Sequence, residues 1–103
     1  MSNNTAENQP LIETAQDIQE PKLYKVIMHN DDVTTMEFVV QVLVDVFHKS
    51  IEDASEIMMK IHTQGKEICG IYPREIAEFR IYKTLHLAKN AHFPLLCTME
   101  ENA

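Results

Sequence analysis

Between Met36 and Lys49 the chain reads MEFVVQVLVDVFHK, and its polar positions Glu37, Gln41, Asp45 and Lys49 fall four apart. A Val-rich run favours a strand by composition alone. A polar stripe at that spacing is instead one face of a helix buried around most of its circumference. The pattern predicts a helix over 36–48, with Thr34 and Glu37 as its capping box. Ser50 followed by Asp53 repeats the start signal. Ile51, Ala54, Ile57, Met58 and Ile61 then recur at helical spacing, opposite Glu52, Asp53, Glu56 and Lys60, which predicts a second helix over 51–63 stopped by Gly65. Pro73 can open a third, because its missing N–H costs nothing in a first turn. Ala77, Ile81, Leu85 and Ala88 form its apolar stripe, with Glu75 and Glu78 near the positive end of its dipole and Lys89 near the negative end.

Three shorter runs read as strands: KLYKVIMH over 22–29, KEICGIY over 66–72 and PLLCTM over 94–99. Gly70 marks either a bulge or a close approach within the second. The order is β-α-α-β-α-β, an α+β class in which a three-stranded antiparallel sheet packs on three helices. Residues 22–103 form this core domain. Residues 1–21 differ: they carry Glu7, Glu13, Asp17 and Glu20, no Lys or Arg, no aromatic residue, and Pro10 and Pro21. Such a stretch buries too little apolar surface to order itself and reads as a flexible extension, either idle or a tether.

Charge narrows the partners. The formal net charge is −7, which disfavours nucleic acid and anionic membrane surfaces and favours a cationic or amine-bearing ligand. With 2 Gly in 103 residues a Gly-rich phosphate loop is excluded. Cys69 and Cys97 stand outside any CxxC pair and read as reduced, core-facing thiols. No charged n-region precedes an apolar h-region, so the expectation is a cytoplasmic protein.

The candidate chemistry sits where the first strand breaks off into Asn30-Asp31-Asp32. An acidic pair at a strand end suits a phosphoacceptor receiver domain. That chemistry also needs a later acceptor Asp, and the later strand ends here carry Tyr72 and Thr98 or Met99. The histidines at 29, 48, 62, 86 and 92 include no HxxH or HxxxH pair, and no Ser or Cys occupies a nucleophile elbow. Catalysis, metal and cofactor are therefore not expected. A primary ammonium, with three N–H donors and one positive charge, has its complement in a rigid cluster of acceptors. Asn30, Asp31 and Asp32 supply one, and His62 can add a neutral acceptor nitrogen at the end of the second helix. The plain alternatives are a turn aspartate, a capping histidine, and Met36, Val39 and Met58 as ordinary core.

The segments LYKVIMHNDDVTTMEFVVQVL, IHTQGKEICGIY and HFPLLCTME, in that order, resemble the ClpS family. Its members are non-enzymatic adaptors of the bacterial N-degron pathway, which bind substrates by the N-terminal residue and hand them to a ClpA-type AAA+ unfoldase, partner of the ClpP protease. The resemblance implies that Asn30, Asp31 or Asp32, and His62 hold the substrate α-amino group. It implies that Met36, Val39, Met58, Ile61 and Leu95 receive a first side chain of Leu, Phe, Tyr or Trp. Thr34 would lie at the mouth, and Met36 would help reject β-branched first residues. Glu75 and Arg80 would border the surface that docks the unfoldase's N-terminal domain, with the protein a monomer. A generic interaction module, such as the small α/β domain of the ribosomal stalk, is the other non-enzymatic reading. Three positions depart from the family pattern: Thr35 where Pro is common, His29 where an aliphatic residue is common, which would put a titratable group beside the amine site, and Arg80 where Lys is usual.

Overall fold

The computed structural model describes residues 20–103. All but the last two residues of the expected extension, 1–21, lie outside the described residues. Six elements follow in the expected order: β1 (Leu23–His29), α1 (Met36–Asp45), α2 (Ile51–Gln64), β2 (Lys66–Pro73), α3 (Arg74–Asn90) and β3 (Leu96–Glu101). The sheet order is β2-β1-β3. Both pairings of the central β1 are antiparallel, with Met28 opposite Cys97 on one side and Tyr24 opposite Tyr72 on the other. An antiparallel sheet is incompatible with the parallel, doubly wound layout of a receiver domain.

Alternation along β1 divides the sheet into two faces. Val26 and Met28, fully buried, point into the helical layer with Cys69 and Cys97. Lys25, Ile27 and His29 point to the other face, where His29 Nε2 lies 2.9 Å from Thr98 Oγ1. His29 thus serves the uncovered face of the sheet and does not border the amine-site candidates, contrary to the sequence expectation. In β2 the register steps from Val26 opposite Gly70 to Ile27 opposite Ile68, leaving Cys69 as the extra residue of a bulge. At Gly70 the Tyr72 ring and hydroxyl lie where a Cβ would stand, so any larger residue would have to displace that ring.

Burial pushes the Cys69 thiol well above its ordinary range, with Cys97 adding a like-charge contribution. Burial likewise pushes Cys97 up to about 12. Both are free thiols in the core, so they act as small apolar side chains.

The helices are where the sequence pattern is corrected. α1 stops at Asp45, three residues before the expected His48, and Val46 is its C-cap. His48 takes a left-handed φ of 57° and the Lys49 N–H returns to the Leu43 carbonyl at 3.0 Å. At this end Arg80 of α3 donates to the Val46 carbonyl, satisfying one of the acceptors a helix end leaves open. The N-cap is Thr35, whose hydroxyl accepts from the Phe38 N–H at 3.1 Å, and not Thr34. On α2, Ser50 caps Asp53 and Gly65 ends the helix at φ 93° as expected, but Ile51 is exposed. On α3 the buried positions are Ala77, Thr84 and Ala88, with Ile81 packed beside them. Leu85, expected in that stripe, is 39% exposed: it lies one residue around the helix from Thr84, which is wholly buried. No helix among the described residues is long and apolar enough to cross a membrane.

Candidate functional site

The Asn-Asp turn and the end of α2 meet through one backbone bond. The Asn30 N–H donates to the Gly65 carbonyl at 2.8 Å. Gly65 can accept it because its left-handed φ turns the chain sharply out of α2 and back toward β1. This bond seats residues 30–34 beside the last turn of α2, and a cavity of about 410 Å³ opens between them and the start of α1.

The walls differ in chemistry. Asn30, Asp31, Asp32 and His62 supply polar lining. Met36, Val39, Met58 and Ile61 supply apolar lining, and Thr34 lines the same cavity. The sequence-nominated residues therefore converge, with one exception. Leu95 is buried in the hydrophobic core and is not among the residues lining the cavity. It precedes β3, which begins at Leu96 rather than Pro94. Val33 and Thr35 also line the cavity and were not nominated. Their only sequence signal is membership of the same turn. Met36 and Val33 keep 43% and 57% exposure, which places them at an open mouth that a ligand could cover.

The two aspartates do different work. The Val33 and Thr34 N–H groups donate to Asp31 Oδ1 at 2.8 and 2.7 Å, and the Thr34 hydroxyl donates to Oδ2 at 2.7 Å. Partial burial pushes the Asp31 pKa up, but the donors on Thr34 and Val33 outweigh it and hold the carboxyl below its ordinary value. None of the described hydrogen bonds or ion pairs engages Asp32, which is exposed. Its charge faces solvent at the cavity rim.

Glu75 and Arg80 lie elsewhere. Glu75 borders a hollow of about 490 Å³ with Pro21, Tyr24 and Ile76, and Arg80 borders one of about 230 Å³ with Asp45, Ile76, Phe79 and Lys83. The two hollows share Ile76. Arg80 is committed internally, to the Val46 carbonyl and to the Tyr72 ring, whose centroid lies 5.0 Å from its guanidinium carbon. The exposed apolar residues Ile76, Phe79 and Tyr82 on this helix were not nominated. Their exposure runs against their hydropathy, so periodicity could not single them out.

Fold and site define a small binding domain: an acceptor-rich anionic rim joined to an apolar hole on a rigid α+β scaffold. A family model described as "ATP-dependent Clp protease adaptor protein ClpS" matches residues 19–98. The chain is 58% identical over 81 residues to the ClpS adapter protein of Desulforapulum autotrophicum, covering 79% of this chain and 78% of that one. It is 44% identical over 95 residues to that of Lawsonia intracellularis, covering 92% and 87%. The structure of Agrobacterium tumefaciens ClpS2 bound to L-phenylalaninamide superposes with a TM-score of 0.78 at 41% identity, covering 81% of this chain and all of that one. The chain belongs to the ClpS family of ATP-dependent Clp protease adaptors.

Proposed function

We propose that this adaptor selects polypeptides by their first residue and passes them to a ClpA-type AAA+ unfoldase for degradation by its partner protease. One observation carries the reading: a single cavity is lined both by the polar Asn30, Asp32 and His62 and by the apolar Met36, Val39, Met58 and Ile61. A chain's first residue is the only place where a free ammonium and a side chain leave the same carbon. The relative from Agrobacterium tumefaciens holds L-phenylalaninamide, which has that ammonium, an aromatic side chain, and an uncharged amide where a peptide would continue.

Neither half of the interaction suffices alone. Burying a Leu or Phe side chain contributes about 1.5–3 kcal/mol. A charge-assisted hydrogen bond to the ammonium contributes about 1.5–3 kcal/mol where water is excluded. Association costs several kcal/mol in lost freedom, which sets micromolar affinity as the expected range. An internal Leu lacks the ammonium and an N-terminal Ala lacks the apolar volume. Leu, Phe, Tyr and Trp meet both conditions, and Met36 at the mouth disfavours the β-branched Ile and Val.

The protein does this without catalysis, as a cytoplasmic monomer. α3 offers the docking surface for the unfoldase's N-terminal domain. There Glu75 and the exposed Ile76 and Phe79 are free to make contact, while Arg80 shapes the surface from beneath. The acidic extension before Lys22 acts in delivery.

The test is a titration of a Leu-initiated peptide against its N-acetylated twin, followed by an array varying only the first residue. Acetylation removes the charge that the Asp32 rim attracts, so affinity should fall at least about tenfold, the scale of one lost charged hydrogen bond. Equal affinities would sink the amine reading.

A further inference from the structure

Both ends of the turn between β1 and α1 are pinned by bonds of their own. Asn30 is tied to Gly65, and the Thr35 hydroxyl caps α1. The middle is closed by Asp31, which collects two backbone N–H donors on Oδ1 and the Thr34 hydroxyl on Oδ2. A carboxylate oxygen has two lone-pair positions, so Oδ1 is saturated and Oδ2 has one left. Thr34 has committed its single hydroxyl proton to Asp31, so it offers the cavity only acceptor lone pairs. Asp32, one residue on, is exposed and carries the charge that a ligand can meet.

From this division we propose that Asp31 is a positioning residue: through Thr34 it holds the turn in the shape that presents Asn30 and Asp32, and it does not itself take the ligand's ammonium. The inference rests on the reading that the cavity receives an α-amine. A turn left free to fluctuate would present those acceptors only part of the time, and apparent affinity falls by the fraction of molecules in the competent shape.

Substitutions in the full chain separate positioning from contact. Asp31→Ala removes all three bonds. Asp31→Asn keeps an acceptor for the two backbone donors but removes the charge and the oxygen that accepts the Thr34 hydroxyl. Thr34→Val removes only the hydroxyl. Each variant is titrated with a Leu-initiated peptide and its acetylated twin, with thermal unfolding recorded alongside. We expect Asp31→Ala to lose about tenfold in affinity for the free-amine peptide, the scale of hydrogen bonds to a charged group, with the acetylated peptide unchanged. Asp31→Asn should recover to within about threefold of the native chain, because the backbone bonds that shape the turn remain. Thr34→Val, which also keeps both backbone bonds, should likewise stay within about threefold and cost nothing further when combined with Asp31→Ala, since residues in one network do not add. Direct contact gives the opposite pattern: Asp31→Asn as weak as Asp31→Ala, with Thr34→Val adding independently. Either result overturns the proposal.

Should Asp31→Ala fail to fold, the remaining pair decides. Positioning keeps both variants within about threefold of the native chain, since each retains the two backbone bonds to Oδ1 and gives up the Thr34 hydroxyl bond, whereas contact makes Asp31→Asn lose about tenfold while Thr34→Val does not. The native chain, titrated first, isolates the two questions. If it does not tell the free amine from the acetylated peptide, the function itself is wrong. If it does, and only the variant pattern fails, the role of Asp31 alone is wrong.

Discussion

The Asn30 N–H bonds the Gly65 carbonyl at 2.8 Å, joining the residue that leaves β1 to the residue that ends α2. Those positions are 35 apart in sequence, and this bond is what puts the Asn-Asp turn and His62 on one cavity. Gly65 is free to act this way because its φ of 93° suits a residue without a Cβ, and nothing lies within 4 Å of where one would stand.

Gly65→Ala therefore tests backbone strain alone. A non-glycine residue forced into the left-handed region costs about 1–2 kcal/mol. Urea unfolding should show that loss, and binding of a Leu-initiated peptide should weaken with it as the Asn30 tether shifts. Gly65→Asn should cost less on both counts, because Asn tolerates that conformation better than Ala.

Met36 sits at the mouth, 43% exposed, with its thioether chain forming part of the apolar wall. Met36→Ala should widen the entrance with little effect on stability, since a half-exposed side chain loses little burial. Ile- and Val-initiated peptides should gain affinity relative to Leu-initiated ones, which fluorescence titration of a matched peptide set can measure. An unchanged ranking would remove Met36 as the element that discriminates side-chain shape.

Thr84 is wholly buried on α3, and its Oγ1 has no hydrogen-bond partner among the described residues. Valine has nearly the same shape without the hydroxyl. Thr84→Val should stabilise the fold by about 1 kcal/mol, the low end of the cost of an unsatisfied buried polar group. A chemical denaturation midpoint moved upward at unchanged slope is the expected readout.

The buried thiols make a kinetic prediction and a pH prediction. Only thiolate reacts with a disulfide reagent, and burial holds both groups protonated, Cys97 up to about 12 from an ordinary 9.0. The native protein at pH 8 should leave both thiols unmodified, and both should react once denaturant is added. Because the folded-state pKa is raised, the associated stability is fully present below pH 9.0 and declines as pH rises toward 12.

Asp31 gives the opposite sign. Its folded pKa is lowered from 3.8 by donors on Thr34 and Val33 that outweigh partial burial. The stability it contributes is fully present above that ordinary value and is lost as pH falls through the lowered one. The Val33 and Thr34 amide resonances should hold steady from neutral pH down to about 4 and move with a midpoint below 3.8. A midpoint at or above 3.8 would contradict the three-bond geometry.

Local signals carried the element order, and the reason is physical. The four-residue polar stripe of α1, the Ser50 cap, the Gly65 stop and the apolar runs of the strands are each written in neighbouring residues, where spacing and backbone preference act directly. The Asn-Asp turn was conspicuous for the same reason, since adjacent carboxylates in an otherwise apolar context need a purpose. What tertiary structure alone decided involves residues far apart in the chain. Arg80 reaches the Val46 carbonyl at the end of α1 from 34 positions away. The packing angle of α3 buries Thr84 and exposes Leu85. The division of labour between Asp31 and Asp32 depends on which carboxylate the folded turn aims at its own donors. Periodicity reports which residues share a face of their own element. It carries no information about the neighbour that face meets, and that neighbour settles burial, helix ends and the free charge at the rim.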